Sequence, residues 1–250
     1  PTPRAVALLA HEFGLAVEGS LDGLEITGVT LSTSEVRPGD LYVGVRGARS
    51  HGAAFASAAR EAGAVAILTD AEEISAWIYR THEDPPLLFG TTGTNGKTST
   101  SYLLEGILRQ LGLVTGLSST SERHIGELSI VSRLTTPESS EMHALLARMR
   151  EAAVRAVAIE VSAQAMSHRR VDGLVFDVVG FTNLSHDHLD DYPDFEAYFA
   201  AKLALFTPEH ARRGVVCLDT EWGARVVDGS HIPVTTIATI GHAANAEEAA

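Results

Sequence analysis

Gly90-Thr91-Thr92-Gly93-Thr94-Asn95-Gly96-Lys97-Thr98-Ser99-Thr100 is the stretch whose reading decides the fold. Before it, Pro86-Leu87-Leu88-Phe89 reads as a short buried strand. After it, Tyr102-Leu103-Leu104-Glu105-Gly106-Ile107-Leu108 reads as a helix. Strand, glycine loop, helix is the setting a phosphate-binding loop requires. Glycines let backbone N–H groups turn inward with no Cβ in the way. Those groups, with the helix N-terminus, then face polyphosphate oxygens. On this reading Gly93, Thr94, Asn95, Gly96 and Ser99 belong to a cradle for the phosphates of ATP. Lys97 reaches the β- and γ-phosphates, and the Thr98 hydroxyl ligates Mg²⁺. The general pattern has glycine five residues before Gly96, where this chain has Thr91, so a plain Gly/Thr/Asn turn is the alternative. The Gly-Lys-Thr ending after a strand weighs against that alternative.

The chain of 250 residues has room for one large or two ordinary domains, and 45% hydrophobic residues suffice for real cores. Its 22 glycines and few aromatics suit an α/β protein with many tight turns. A net charge of −13 argues against nucleic acid as the main partner, because no basic surplus exists to displace counterions. An acidic protein that binds a polyphosphate must neutralise charge locally; like charges 4 Å apart repel by about 4 kcal/mol at an effective dielectric near 20. The single cysteine, Cys217, lies in the apolar run Gly214–Leu218 and reads as core filler, with a catalytic thiol as the remote alternative. Ala5–Ala10 is too short to span a membrane and is interrupted by His11-Glu12, so it reads as an amphipathic helix. The expected setting is cytoplasmic and reducing, without membrane insertion.

Residues 1–84 read as a small N-terminal domain: a helix over Ala5–Phe13, strands at Leu24–Val29 and Asp40–Val45, a helix over Ala53–Ala62 and a strand at Val65–Thr69. Thr81–Pro86 reads as a linker, since Pro-Pro blocks both helix and ladder. From residue 85 to 250 strands and helices alternate. Strands are expected at Val114–Leu117, Val154–Val161, Phe176–Thr182, Gly214–Leu218 and Val234–Thr239. Helices are expected near Lys97–Leu111, Pro137–Glu151, Phe195–Phe206 and Trp222–Val227. Near-continuous apolar strands between helices imply a mostly parallel sheet covered on both faces.

Ligands gather at the C-terminal ends of parallel strands. Ala156-Val157-Ala158-Ile159-Glu160-Val161-Ser162 puts a carboxylate at such an end, where it needs pairing, hydrogen bonds or a metal. Glu160 reads as an Mg²⁺ ligand, or alternatively as a helix-capping partner. Ser185-His186-Asp187-His188-Leu189-Asp190-Asp191 is a dense polar turn after a strand, and alone reads equally well as solvated and self-bonded. Lys202, in Tyr198–Phe206, is a lone cation in an apolar helix. It either snorkels to the surface or is desolvated, and a desolvated lysine gives up its proton more readily.

Taken in order, Gly93–Thr98, Thr135-Thr136-Pro137-Glu138, Glu160-Val161-Ser162, Arg170-Val171-Asp172-Gly173, Asn183-Leu184-Ser185 with Asp187-His188-Leu189-Asp190, and Ala201-Lys202 resemble the Mur ligase family. These are ATP-dependent amino-acid ligases of peptidoglycan precursor synthesis, and the likeness is greatest to the branch that adds the third residue. Gly39–Val43 with Gly47–Gly52 also resembles that branch's uridine-nucleotide domain. The resemblance implies an N-terminal domain that binds a uridine nucleotide, followed by a P-loop, mostly parallel-sheet ATPase domain, with the C-terminal domain missing from these residues. It implies that Lys97 and the loop hold ATP and that Thr98 and Glu160 bind one Mg²⁺. His188 and a carbamylated Lys202 would serve a second metal. Thr135, Thr136, Ser162 and Arg170 would hold the UDP-N-acetylmuramoyl-dipeptide, and Thr33, Arg49 and Ser50 the uridine diphosphate. Lys97, Lys202, His188 and Glu160 would be the catalytic set of a monomeric enzyme that adds diaminopimelate or L-lysine.

The chain departs from the family in places. Ser32-Thr33-Ser34 stands where the family has Asp-Ser-Arg, Gln164 replaces a histidine, and His168 stands where glutamine is frequent. A non-catalytic sugar-nucleotide- or ATP-binding module, and a related ligase such as a folylpolyglutamate synthase, are the competing expectations.

Overall fold

The computed structural model describes residues 2–17, 19–45, 52–69, 74–185 and 191–239. The chain divides into two compact units, residues 1–83 with 143–147, and residues 84–142 with 148–250.

The first unit is built on a three-stranded parallel sheet in the order β3-β4-β5, with β3 at Gly28–Thr30, β4 at Asp40–Gly44 and β5 at Ala66–Thr69. A short antiparallel pair, β1 (Arg4–Ala5) with β2 (Glu25–Ile26), precedes it. The single strand expected over Leu24–Val29 is therefore two: Ile26 pairs with Arg4, while Gly28 to Thr30 pair with Asp40 to Tyr42. An uninterrupted strand-like run hides such a break, because each half pairs as extended chain with a different partner. The helices are α1 (Val6–Glu12), α2 (Ala56–Glu61), preceded by a 3₁₀ turn over Gly52–Phe55, and α3 (Ile74–Ile78). Val6, Leu9, Ile26, Val29, Leu41, Val43, Ile74 and Ile78 form the core, to which Ala147 contributes. The Tyr79 hydroxyl closes it by accepting the Val29 amide at 3.1 Å, and burial raises the Tyr79 pKa.

The second unit carries an eight-stranded sheet in the order β13-β12-β11-β6-β10-β7-β8-β9. Its strands are β6 (Leu87–Thr92), β7 (Thr115–Ser118), β8 (Glu122–Ile125), β9 (Leu128–Val131), β10 (Ala156–Glu160), β11 (Val178–Phe181), β12 (Gly214–Cys217) and β13 (Val234–Ile237). Six run parallel, and β8 and β9 are antiparallel. This hairpin escaped the sequence reading because β9 is exposed along its whole length and gives no buried face to detect. Its two-residue turn, Gly126-Glu127, has Gly126 at φ +59°, the positive φ that such hairpin turns require.

Helices α4 (Lys97–Gln110), α5 (Ser139–Glu151), α6 (Ala163–Ser167), α7 (Phe195–Leu203) and α8 (Glu221–Gly229) connect the strands. Every residue of β10 is buried, as a strand covered on both faces must be. Cys217, expected as core filler, is half-buried at the end of β12. The chain runs β6, β7, β10 on one side of β6 and then reverses to β11, β12 and β13 on the other. The reversal falls at the end of β6, which is where ligands bind in open α/β sheets. Among the described residues no helix is long and apolar enough to cross a membrane.

Candidate nucleotide-binding cleft

The pairing register brings three strand ends together. Glu160 of β10 pairs with Thr91 of β6, Phe181 of β11 pairs with Thr92, and Ile159 pairs with Ser118 of β7. The loop 93–96 leaves β6 at this edge and enters α4 at Lys97. Gly93 has φ +144°, and a Cβ there would stand 1.9 Å from the Thr182 hydroxyl. Gly96 caps the helix in the left-handed region at φ +85°. Neither position accepts a side chain without rebuilding the loop.

The segment after β11 splints the loop. The Asn183 carbonyl accepts the Thr94 amide at 2.9 Å, and its side-chain oxygen accepts the Asn95 amide at 3.0 Å. Thr182 Oγ1 and Asn183 Nδ2 donate to the Asn95 carbonyl at 2.7 and 3.1 Å. The Ser185 amide donates to Thr94 Oγ1 at 3.0 Å, and Asn95 Nδ2 donates to Ser185 Oγ at 3.1 Å. A glycine loop with its side chains already bonded is preorganised before any ligand arrives.

A cleft of about 410 Å³ opens on this loop, lined by Thr94–Thr98, Thr120, Thr135, Glu160, Ser162–Gln164, Tyr198 and Lys202. Lys97 Nζ donates to the carbonyls of Gly93 and Thr94, each at 2.9 Å. Thr98 is half-buried on the wall; Ser99, one position on, is exposed and outside the lining. Glu160 is fully buried, and its two oxygens accept the Thr120 amide at 3.0 Å and the Thr120 hydroxyl at 3.2 Å. Lys202 is 1% exposed, which removes the snorkelling alternative. Its Nζ donates to the Gly93 carbonyl at 2.9 Å and lies 4.4 Å from the Tyr198 ring centre, a cation–π distance. Tyr198 is equally buried, with its hydroxyl 3.3 Å from Thr94 Oγ1.

The remaining candidates fall as follows. Thr135 lines the cleft and accepts from Thr120 Oγ1 at 3.1 Å. The buried Thr136 hydroxyl is spent within the fold, donating to the Glu160 carbonyl at 2.8 Å and accepting the Ser162 amide at 3.1 Å. Ser162 lines the cleft and caps α6 through the Ala165 amide. Arg170 pairs with Glu138 at 2.8 Å, and its Nε is buried without a partner. Thr33 lies in the first unit, in a 3₁₀ turn over Thr33–Glu35. His188, Arg49 and Ser50 lie outside the described residues.

Thr120, Tyr198 and Gln164 line the cleft without having been singled out by sequence for a role there. Thr120 follows β7, and only the neighbouring of β7 and β10 in the sheet puts it against Glu160. For Tyr198 a signal existed: it precedes Lys202 by one helical turn and so shares its face.

Among the described residues no three His, Cys, Asp or Glu side chains are grouped so that they could hold a metal ion by themselves. Magnesium does not need such a cage, since it keeps several waters and takes one or two carboxylates plus substrate phosphates. A buried carboxylate and a threonine hydroxyl on one wall, beside a phosphate loop, fit that ion.

The description "Mur ligase middle domain" matches residues 91–250, and "Mur ligase family, catalytic domain" matches residues 25–87. The UDP-N-acetylmuramyl-tripeptide synthetase of Leifsonia xyli subsp. xyli is 58% identical over 96% of this chain and 51% of its own length. The UDP-N-acetylmuramoyl-L-alanyl-D-glutamate--2,6-diaminopimelate ligase of Streptomyces avermitilis is 44% identical over 95% of this chain and 51% of its own. The chain spans about half the length of the curated relatives it matches. In fold it resembles a solved UDP-N-acetylmuramoyl-L-alanyl-D-glutamate--2,6-diaminopimelate ligase with TM-score 0.79 at 20% identity, over 92% of this chain and 52% of that one. It also resembles the MurF ligase of Thermotoga maritima in complex with ADP, with TM-score 0.57 at 18% identity, over 86% and 51%. With both units accounted for by the same family's descriptions and relatives this similar along nearly its full extent, the chain belongs to the Mur ligase family.

Proposed function

We propose that this chain forms the ATP-binding part of a ligase that joins a diamino acid to UDP-N-acetylmuramoyl-L-alanyl-D-glutamate during peptidoglycan precursor synthesis in the cytoplasm. One observation carries the reading: the loop ending in Lys97-Thr98, the buried carboxylate Glu160 and the buried amine Lys202 all line one cleft. The relatives, a tripeptide synthetase and a 2,6-diaminopimelate ligase by name, suggest the substrate class.

A carboxylate is a poor electrophile at neutral pH. The γ-phosphoryl of ATP passes to the terminal D-glutamate carboxylate, giving ADP and an acyl phosphate. The incoming amine attacks the acyl carbon, phosphate leaves, and an amide remains. Little covalent chemistry falls to the protein, so its work is positioning and charge neutralisation. The loop amides and Lys97 hold the phosphates, with Lys97 exchanging its carbonyl partners for phosphate oxygens. Thr98 and Glu160 hold Mg²⁺, which when bound neutralises the phosphate oxygens. Lys202 Nζ attacks CO₂ and loses a proton, becoming a carbamate, an anion that with His188 serves a second metal. Thr135, Ser162 and Arg170 take the peptide end of the acceptor, and the backbone at Thr136 supports them. In the first unit Thr33, Arg49 and Ser50 take the uridine diphosphate.

The test uses protein from the complete reading frame that encodes these residues. Given ATP, Mg²⁺, the UDP-muramoyl-dipeptide and either 2,6-diaminopimelate or L-lysine, it should release phosphate only when both acceptors are present. Absence of release with every diamino acid ends the reading. Intact mass should show about 44 Da added at Lys202, as captured CO₂ requires.

A further inference from the structure

Helix α6 contributes to the lining of the cleft, and two of its side chains, Gln164 and Ser167, bond to Asp191 and Tyr192, which the proposed chemistry does not use. Gln164 lines the cleft, and its side-chain Nε2 donates to Asp191 Oδ2. One turn on, Ser167 Oγ and the Tyr192 hydroxyl are hydrogen-bonded at 2.9 Å. The Tyr192 ring in turn packs on the Tyr198 ring at 5.3 Å between centres. Tyr198 is the residue whose hydroxyl meets Thr94 of the loop and whose ring lies over Lys202. Asn183 and Ser185 are bonded to the loop, and Asp191 and Tyr192 are bonded to α6.

We propose that Gln164 and Ser167 are positioning residues: they hold Asp191 and Tyr192 so that Tyr192 keeps Tyr198 in register with both Lys202 and the phosphate loop. This deepens the ligase reading and rests on it. The physical case is one of length and burial. Tyr198 is 1% exposed and spans the gap between a loop hydroxyl and a lysine amine. A ring in that position has no room to tilt without moving one of its partners. The Tyr192 and Phe195 rings pack against it, and Tyr192 is held to α6 by its hydrogen bond with Ser167. Glutamine suits the task, because its amide presents a donor to the Asp191 carboxylate and remains uncharged among Glu160, Lys97 and Lys202, which line the same cleft.

The role predicts a kinetic pattern that mere loss of a surface bond would not give. In the complete enzyme, Gln164→Leu keeps the side chain's bulk and removes the donor. It should lower kcat about tenfold, while KM for ATP and calorimetric ADP affinity stay near the parent, since the loop itself is splinted by Asn183 and Ser185. Gln164→His, whose ring N–H also donates, should restore most of kcat. Asp191→Ala should cost as much as Gln164→Leu, and the double variant no more than either, because both remove one contact. Ser167→Ala, which removes the bond to Tyr192 itself, should give a loss of the same kind. A Gln164→Leu enzyme with parental kcat, a histidine variant as slow as the leucine one, or additive losses in the double variant would each overturn the proposal. An inactive parent would instead sink the ligase reading.

Discussion

Two buried carboxylates in the second unit, Glu105 and Glu160, are treated in opposite ways. Glu105 on α4 is 3% exposed and is met by cations: Arg109 Nη2 at 3.0 Å and His124 Nδ1 at 2.9 Å, with the Thr115 hydroxyl at 3.3 Å. His124 Nε2 faces Glu122 at 3.0 Å, so both ring nitrogens face carboxylates, an arrangement that favours the protonated ring. Burial by itself would lower the His124 pKa, but the hydrogen bonds to Glu122 and Glu105 outweigh it and raise it. Glu160 is just as buried, yet its partners are the amide and hydroxyl of Thr120, neutral donors both. A buried charge needs an opposite charge or a set of hydrogen bonds. At Glu105 the fold supplies the opposite charge, and the group fastens the phosphate-loop helix to the β8 strand. At Glu160 the described residues supply neutral donors alone, which suits the proposed role of holding a cation that arrives with the ligand.

That contrast can be broken by exchanging the two groups for amides. Glu160→Gln should lower turnover about 10³-fold, because it removes charge that acts on the phosphates. Its denaturant midpoint should be unmoved or raised, as read by chemical unfolding. Equal loss of activity and stability would show that Glu160 is a structural group after all. Glu105→Gln should do the reverse, losing about 2 kcal/mol of stability by leaving Arg109 without its anion and His124 with Glu122 alone. Phosphate release by the folded fraction should stay close to the parent. Thr120→Val sharpens the comparison, since it removes the hydroxyl donor and keeps the backbone one. About a tenfold loss of turnover is expected, with weaker Mg²⁺ dependence, because orientation of a liganding carboxylate is what its partner supplies.

The smallest effect is read from pH. The folded pKa of His124 lies above its ordinary value near 6.5, so its contribution to stability is complete below that value. It fades as pH rises through the raised pKa. The stability gap between the parent and His124→Gln should therefore be widest in mild acid and close toward alkaline pH. A gap that widens with pH would mean the ring is neutral in the folded protein.

Legibility tracked locality. The loop Gly93–Thr98 and the parallel strands β10, β11 and β12 were readable, because glycine spacing and apolar runs are properties of neighbouring residues. The break between β2 and β3 was not, since it depends on which strand each half meets. The hairpin β8–β9 escaped for want of a buried face, and α3 and α6, five residues each, are too short for a helical period to register. In the cleft, Lys97, Thr98, Glu160 and Lys202 were named from sequence and line one cavity. Sequence left open whether Lys202 is buried, because an apolar helix with one lysine fits a snorkelling chain as well as a desolvated one.

By itself the sequence determined the chemistry on offer: a glycine loop with a lysine and a threonine, an acid at a strand end, and a lysine one turn past a tyrosine. These are fixed by residue type and short spacing. Only the tertiary structure decided what those groups face. The sheet order sets β10 between β6 and β7, bringing Thr120 to Glu160, and sets β11 against β6, bringing Asn183 to the loop and leaving the Gly93 carbonyl between two lysines. Lys97 apart, which is four residues from Gly93, those partners lie 40 to 109 residues apart in the chain, and no local pattern encodes which strand lies beside which.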